Sequence, residues 1–265
     1  MATIQVEISP ERQEIYAKLK EQYNPEGSEL RKYQLHLTKA LIEFDKFCKE
    51  HNIQYSLAFG TLLGAIRHKG FIPWDDDADL YMTRENANKL LSLAKGKYHE
   101  LNDRISLALG IRPCIWMAPF ADIDIFILDV APFNKCLDKL KLRYSQLLYG
   151  VIKCKGALEN HLKKSKWYVF IPIAILASSE TWKRKWSELA QWKNNDPKAT
   201  YARVYNECFG SMKRRYHLHD IQNYDSVIFE GYEFPIFRGY DVILKECYGD
   251  YMKLPSSIHT HNIIR

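Results

Sequence analysis

Apolar residues recur at three- and four-residue steps over Leu30, Tyr33, Leu37, Leu41, Phe44 and Cys48. That spacing lines one face of an amphipathic helix, which Ser28 starts and His51-Asn52 ends. Upstream, Ser9-Pro10-Glu11 joins an N-cap to a proline at the first helical position. It predicts a short helix to about Tyr23, broken by Asn24-Pro25-Glu26-Gly27. After residue 52 the period falls to two. Large apolar residues alternate from Ile53 to Phe59, the pattern of a strand. Gly60-Thr61 then opens a short helical turn, Leu62 to Arg67, closed by His68-Lys69-Gly70 with Gly70 as the C-cap. Pro73 keeps Phe71-Ile72-Pro73-Trp74 extended. Asp77 to Met82 reads as the next strand, Thr83 caps a helix from about Arg84 to Ala94, and Asp122 to Leu128 reads as a third strand. From Phe133 to Trp192 the pattern is mostly helical and basic. A hairpin over Ser226–Phe234 and a helix over Tyr240–Tyr251 complete the chain, with no internal repeat or low-complexity segment.

Composition narrows the class. The chain has 265 residues, 46% hydrophobic and 26% charged, which suits one large α/β domain and excludes a disordered chain or a disulfide mini-protein. Its net charge of +6 fits anionic small molecules or weak attraction to an anionic membrane face, and does not by itself argue for nucleic acid. The six cysteines form no CxxC pair, so a zinc ribbon is disfavoured and reduced thiols in a cytoplasmic protein are the plain reading. The N-terminus lacks a basic flank and an apolar h-region, so it does not read as a signal peptide. The longest apolar run, Trp167 to Ala177, is broken by Pro172 and too short to span a bilayer.

The chemistry lies in residues 75 to 79, Asp-Asp-Asp-Ala-Asp. Carboxylates this dense repel one another when buried unless water or a cation compensates them. On a strand, Asp77 and Asp79 share a face, Asp75 is placed to join them, and Asp76 points away. Hard oxygens in pairs suit Mg²⁺, which binds one or two carboxylates plus substrate phosphates. An isolated acidic run is ordinarily a surface loop. Two further features argue for a site. Gly60-Thr61-Leu62-Leu63-Gly64 follows a strand and precedes a helix N-terminus, a place suited to phosphate. Asp122-Ile123-Asp124 again sets acids on alternate positions of an apolar strand, costly unless paired or metal-bound.

The stretch from Gly60 through His68-Lys69-Gly70 to Asp75-Asp76-Asp77-Ala78-Asp79 resembles the signature of the LicD family, which transfers phosphocholine to glycans and has fukutin-type phosphosugar transferases as distant relatives. Leu30-Arg31 to Leu41, Ile123-Asp124-Ile125-Phe126, Leu128-Asp129, Phe229-Glu230-Gly231 with Phe234-Pro235, and Tyr248-Gly249-Asp250-Tyr251-Met252 with Leu254-Pro255 extend the resemblance. Ile127 stands where the family usually has proline. The resemblance implies a nucleotidyltransferase-like mixed sheet core with flanking helices, in one domain over 1–265. Residues 28–130 would form the donor and metal core, and 131–265 a mainly helical acceptor-side elaboration. It also implies Mg²⁺-dependent transfer of a phospho-alcohol, most simply phosphocholine from CDP-choline, to a hydroxyl of a cell-surface or lipid-linked glycan such as lipopolysaccharide. Nucleic acid is not an expected partner.

On this reading Asp77 and Asp79 are metal ligands and Asp124 is a third carboxylate, completing the metal site or accepting the acceptor's proton. Asp75 and Asp76 are second choices, and Asp122 competes with Asp124. Gly60 and Thr61 would meet donor phosphate, and Arg67 or Lys69 the diphosphate, with an ion pair to the acidic run the rival role for Arg67. His68 lies in the signature, where turn chemistry also accounts for it. His217 and His219, after Lys213-Arg214-Arg215, read better as a solvated basic loop than as an anion site. His259 and His261 read as exposed, Asp129 as a turn residue, and Trp182, Trp186 and Leu189 as packing. Lys163-Lys164-Ser165-Lys166 before Trp167-Tyr168-Val169-Phe170-Ile171 is compatible with a membrane surface, here its inner face. Two alternatives stay open: nucleotidyl transfer from an NTP to a small molecule, and a non-catalytic nucleotide-binding protein.

Overall fold

The computed structural model describes residues 2–95, 106–107, 115–116, 123–161, 165–205 and 214–255. In chain order the elements are β1 (Thr3–Ile4), α1 (Pro10–Tyr23), α2 (Glu29–Glu50), β2 (Ser56–Leu57), α3 (Phe59–His68), β3 (Ala78–Thr83), α4 (Arg84–Lys95), β4 (Ser106–Leu107), β5 (Ile115–Trp116) and β6 (Ile123–Val130). They continue with α5 (Lys135–Glu159), a 3-10 turn (Lys166–Phe170), α6 (Ile171–Ala174), α7 (Ser179–Gln191), β7 (Tyr201–Arg203), β8 (Tyr216–His217), α8 (Leu218–Ile221), β9 (Tyr224–Phe229), β10 (Tyr232–Phe237) and α9 (Tyr240–Tyr248). The fold is α/β, as expected. The chain divides into two compact units.

The first unit holds Met1–Met82, Met117–Asp124 and His219–Arg265. Its helices start where the sequence places their caps: Ser9 accepts from the Arg12 N–H, and Ser28 from the Arg31 N–H. Such caps are worth about 1 kcal/mol each. Leu37, Leu41 and Phe44 of α2 are fully buried. Phe44 packs edge-on against Tyr55, with ring centroids 5.3 Å apart. A full burial of this kind contributes roughly 1.5–3 kcal/mol per side chain. β2 pairs antiparallel with β3. A separate sheet runs β1-β9-β10, with β1 parallel to β9 and β10 antiparallel to it. The β9–β10 turn places Glu230 at φ 50° and Gly231 at φ 83°, the positive pair that a two-residue hairpin requires. The Phe237 N–H donates to Ser56 Oγ at 3.0 Å, tying β10 to β2.

The second unit holds Thr83–Trp116 and Ile125–Leu218. β4 and β5 form an antiparallel pair. Asp129-Val130 of β6 pair antiparallel with β7, which pairs antiparallel with β8. The long helix α5 carries the rest. Leu148, Val151, Ile152 and Cys154 bury against Trp182 and Trp186 of α7, with Leu189 packed at the edge. The tryptophans are packing residues, as their spacing predicts. Beneath them a buried polar network forms. Asp138 accepts two hydrogen bonds from Arg203, one from Tyr205 and one from Arg215.

Some boundaries moved. Helix α3 begins at Phe59, so Gly60 and Thr61 lie inside its first turn and do not precede it. It ends on Lys69 in the left-handed region, φ 57°, and not on Gly70. The strand expected over residues 53–59 shrinks to Ser56–Leu57. Asp129, expected in a turn, is buried in β6 and accepts both a bidentate Arg84 and the Asn194 amide. The last hairpin and helix belong with the acid strand in the first unit, although the sequence reading grouped them with the acceptor side.

Candidate active site

A cleft of about 240 Å³ in the first unit is lined by Phe59, Gly60, Leu63, Ile72, Trp74, Asp75, Asp77, Asp79 and Tyr248. It therefore brings the α3 N-terminus to the acidic run. Helix α3 has no side-chain cap at Ala58, so its first N–H groups carry their partial positive charge uncapped by a side chain. Phe59 opens the helix at φ 39°. Bulky residues rarely adopt this conformation, and its cost is on the order of 1–3 kcal/mol.

Gly60 is needed for space. A Cβ there would sit 2.5 Å from Asp75 Oδ2, so only glycine lets this carboxylate close on the helix start. Gly64 is needed more strictly, because its Cβ would lie 2.4 Å from the Gly70 carbonyl oxygen. Thr61 is buried, and its Oγ1 accepts the Asp79 N–H at 2.8 Å. The hydroxyl thus sets the register of β3 against α3.

Asp75, Asp76 and Asp77 each offer an oxygen, and the three oxygens lie within 4.8 Å of one another. Burial first, then the charges of Asp77 and Asp76, push the Asp75 carboxyl well above its usual range. Such a crowded set of hard oxygens fits a divalent cation; it takes in Asp76, expected to point away, and not Asp79, because residues 75–77 precede β3 and strand alternation does not govern them. Asp79, on β3, and Asp124, the second residue of β6, are both buried within the same unit. Asp122 lies outside the described residues.

Gln34, which no pattern marks, and Glu230, which the resemblance includes without a role, hold the acidic loop. Gln34 of α2 donates to the carbonyls of Ile72 and Asp75, at 3.3 and 2.8 Å. Glu230, at the hairpin tip, accepts the Phe71 N–H at 3.1 Å and Arg31 at 2.7 Å. Gly70 leaves room for it, since a Cβ there would sit 2.4 Å from Glu230 Oε1. Tyr248 of α9 lines the cleft. Local pattern does not reveal these roles, because the partners are remote in sequence.

The expected basic residues go elsewhere. Arg67 is 2% exposed, and its guanidinium donates to the carbonyls of Tyr251 and Lys253 at 3.0 and 3.3 Å. With His68 and Lys69 it lines a different cleft of about 490 Å³. The Lys69 carbonyl accepts the Glu230 N–H. Burial, then the Arg67 charge, pushes His68 down to about 3, so it is neutral at pH 7 and packs on Tyr16, with ring centroids 4.5 Å apart. His217 packs on Tyr201, and His219 pairs with Asp220. Lys213, His259 and His261 lie outside the described residues.

A family model described as "LicD/FKTN/FKRP, nucleotidyltransferase domain" matches residues 52–109, the stretch that carries α3, the acidic loop and β3. The class is thereby an enzyme with a nucleotidyltransferase domain. Across 85% of its length the chain is 32% identical to the lipopolysaccharide cholinephosphotransferase LicD of Haemophilus influenzae, covering 92% of that protein. The chain belongs to the LicD family. Uncharacterized proteins of Rickettsia typhi and Rickettsia prowazekii are 37% and 39% identical over 56% and 49% of this chain, which spans 45% and 53% of their own lengths.

Proposed function

We propose that this enzyme transfers phosphocholine from a CDP-activated donor to a hydroxyl of a glycan acceptor. The observation that carries the reading is the 32% identity, over most of both chains, to a lipopolysaccharide cholinephosphotransferase. The acid-lined cleft beside an uncapped helix start supports it, because a donor diphosphate can take N–H partners on one side and a metal held by carboxylates on the other.

In the reaction, the acceptor hydroxyl oxygen bonds to the phosphorus that bears choline. The bond from that phosphorus to the bridging oxygen breaks, and CMP leaves with that oxygen. Asp124 is the candidate to take the hydroxyl proton. Asp77 and Asp79 would hold Mg²⁺, with Asp75 and Asp76 as further oxygen donors. The ion would neutralise the diphosphate and the charge growing on CMP. Gly60 and the first N–H groups of α3 would orient the donor phosphates. Trp74 and Tyr248 offer aromatic faces suited to a quaternary ammonium.

The test is incubation of the purified protein with Mg²⁺ and a panel of CDP-alcohols, with and without candidate oligosaccharides. CMP release and a phosphocholine-bearing glycan are expected with CDP-choline. Release of CMP only from another CDP-alcohol would reassign the head group. Pyrophosphate release from an NTP, with no CMP formed from any CDP-alcohol, would overturn the reading.

A further inference from the structure

The second unit presents an apolar surface that its own core does not use. Residues 166–176 lie on α5 through one side only. Trp167, Phe170, Ile171 and Ile173 pack on the core formed by Leu148, Val151, Trp182 and Trp186. Phe170 seats over Gly150, where a Cβ would come within 2.4 Å of its ring. The other side faces outward. Val169 is 74% exposed, Ile175 62% and Leu176 75%. Isolated exposed apolar residues are ordinary, but three of this size within eight positions are not.

A second apolar strip lies on α5 in the same unit. Leu140, Tyr144 and Leu147 stand four and three residues apart, so they share a helix face, and all three are exposed. Val151, Cys154 and Leu158 continue the same spacing and are covered by the core cluster. One face of α5 is therefore apolar along its length and closed over only in its second half.

Cations frame this surface. Lys166 Nζ stands 5.1 Å from the Trp167 ring centre, and Lys153 Nζ stands 5.5 Å from that of Tyr149. The Tyr149 and Trp167 rings meet edge to face, 5.6 Å apart. Each ring of the aromatic pair thus has a lysine ammonium near it. In sequence, residues 133–192 carry twelve Lys or Arg against four Asp or Glu, a local balance of +8 in a chain whose net charge is +6. The remainder of the chain is therefore net acidic.

From this pairing of outward aliphatic side chains with a concentrated positive field, we infer that the face formed by Val169, Ile175, Leu176 and the open half of α5 docks on an anionic lipid bilayer. The aliphatic residues enter the headgroup–acyl boundary, the partly buried Trp167 sits at headgroup level, and the lysines meet lipid phosphates. Among the described residues no helix is long and apolar enough to cross a membrane, so the contact is peripheral. A nucleic acid would satisfy the charge but leaves the aliphatic side chains without a partner. This inference is independent of the proposed reaction.

The test is flotation of the full chain with phosphatidylcholine vesicles, with and without phosphatidylglycerol, at low and high salt. Binding is expected to the phosphatidylglycerol vesicles and to weaken with salt. The triple substitution Val169→Ser, Ile175→Ser, Leu176→Ser should weaken it by about tenfold or more. Lys153→Gln with Lys166→Gln should also weaken it by about tenfold or more, and should reduce the salt dependence. Unchanged thermal unfolding would show that both variants are folded. A wild-type protein that stays at the bottom of the gradient with every vesicle would overturn the inference. So would serine variants that float like wild type, or tight binding to a single-stranded oligonucleotide that the serine variants retain in place of vesicle binding.

Discussion

Gly60 and Gly64 lie four residues apart in α3, yet a methyl group meets different obstacles at each. At Gly60 it meets the end of a flexible carboxylate, and at Gly64 a main-chain carbonyl. Gly60→Ala should therefore displace Asp75 and lower turnover while shifting thermal stability little. Gly64→Ala should destabilise by about 1–3 kcal/mol, read by urea titration. Thr61→Val removes the acceptor for the buried Asp79 N–H, at a cost of about 1–3 kcal/mol that Thr61→Ser should largely restore. Asp77→Asn or Asp79→Asn should cut the rate by at least about a hundredfold and leave the fold intact. Without metal, loss of the charge of Asp77, which crowds Asp75 and Asp76, should raise the melting temperature, as measured in EDTA. The acids and the glycines are legible in the sequence because their chemistry is written in the residue type. The reason Gly60 is glycine is not, since it depends on where residue 75 folds back.

At the scale of elements, α5, β7 and the following β8 strand are joined through Asp138. Burial raises this carboxyl, but hydrogen bonds from Arg203 and Tyr205 outweigh burial and hold it below its usual range. Its contribution is present above the unfolded value near 3.8 and is lost as pH falls through the lower folded value. Asp138→Ala strands the buried Arg203 and should cost about 3–5 kcal/mol, measured by urea titration at neutral pH. Lys141 is also lowered, so its pH slope has the same sign, but here burial disfavours the charged form. Its ammonium donates to the carbonyls of Val130 and Trp192, and burial lowers it from 10.5 to about 8. Between those values the unfolded chain holds a proton that the folded chain has lost, so stability should rise with pH from about 8. Lys141→Met should remove that rise in urea titrations across the window. Periodicity located α2 and the β9–β10 hairpin, and cap chemistry located the starts of α1 and α4, because apolar faces and caps are both local patterns. It overextended β2, where apolar alternation continues beyond the two residues that pair.

At the scale of the molecule, the chain leaves the first unit after Met82 and rejoins it at His219, apart from Met117–Asp124. The returning segment supplies Phe229, Phe234, Phe237 and Leu244, all fully buried or nearly so. Ending the chain at Leu218 should therefore leave an ANS-binding, protease-sensitive first unit, and a retained near-UV circular dichroism spectrum would contradict that. The sequence by itself determined the helices with strong apolar stripes, the acidic run with its glycine-rich neighbour, and through them the family. Each of these is a matter of residue type and short spacing. Only the tertiary structure decided that Arg67 serves the carbonyls of Tyr251 and Lys253. It alone clamped the acidic loop from Arg31 and Glu230, which stand 199 positions apart. Hydrogen bonds and close approach are properties of distance in space, and a linear pattern carries no information about partners brought together only when the core forms.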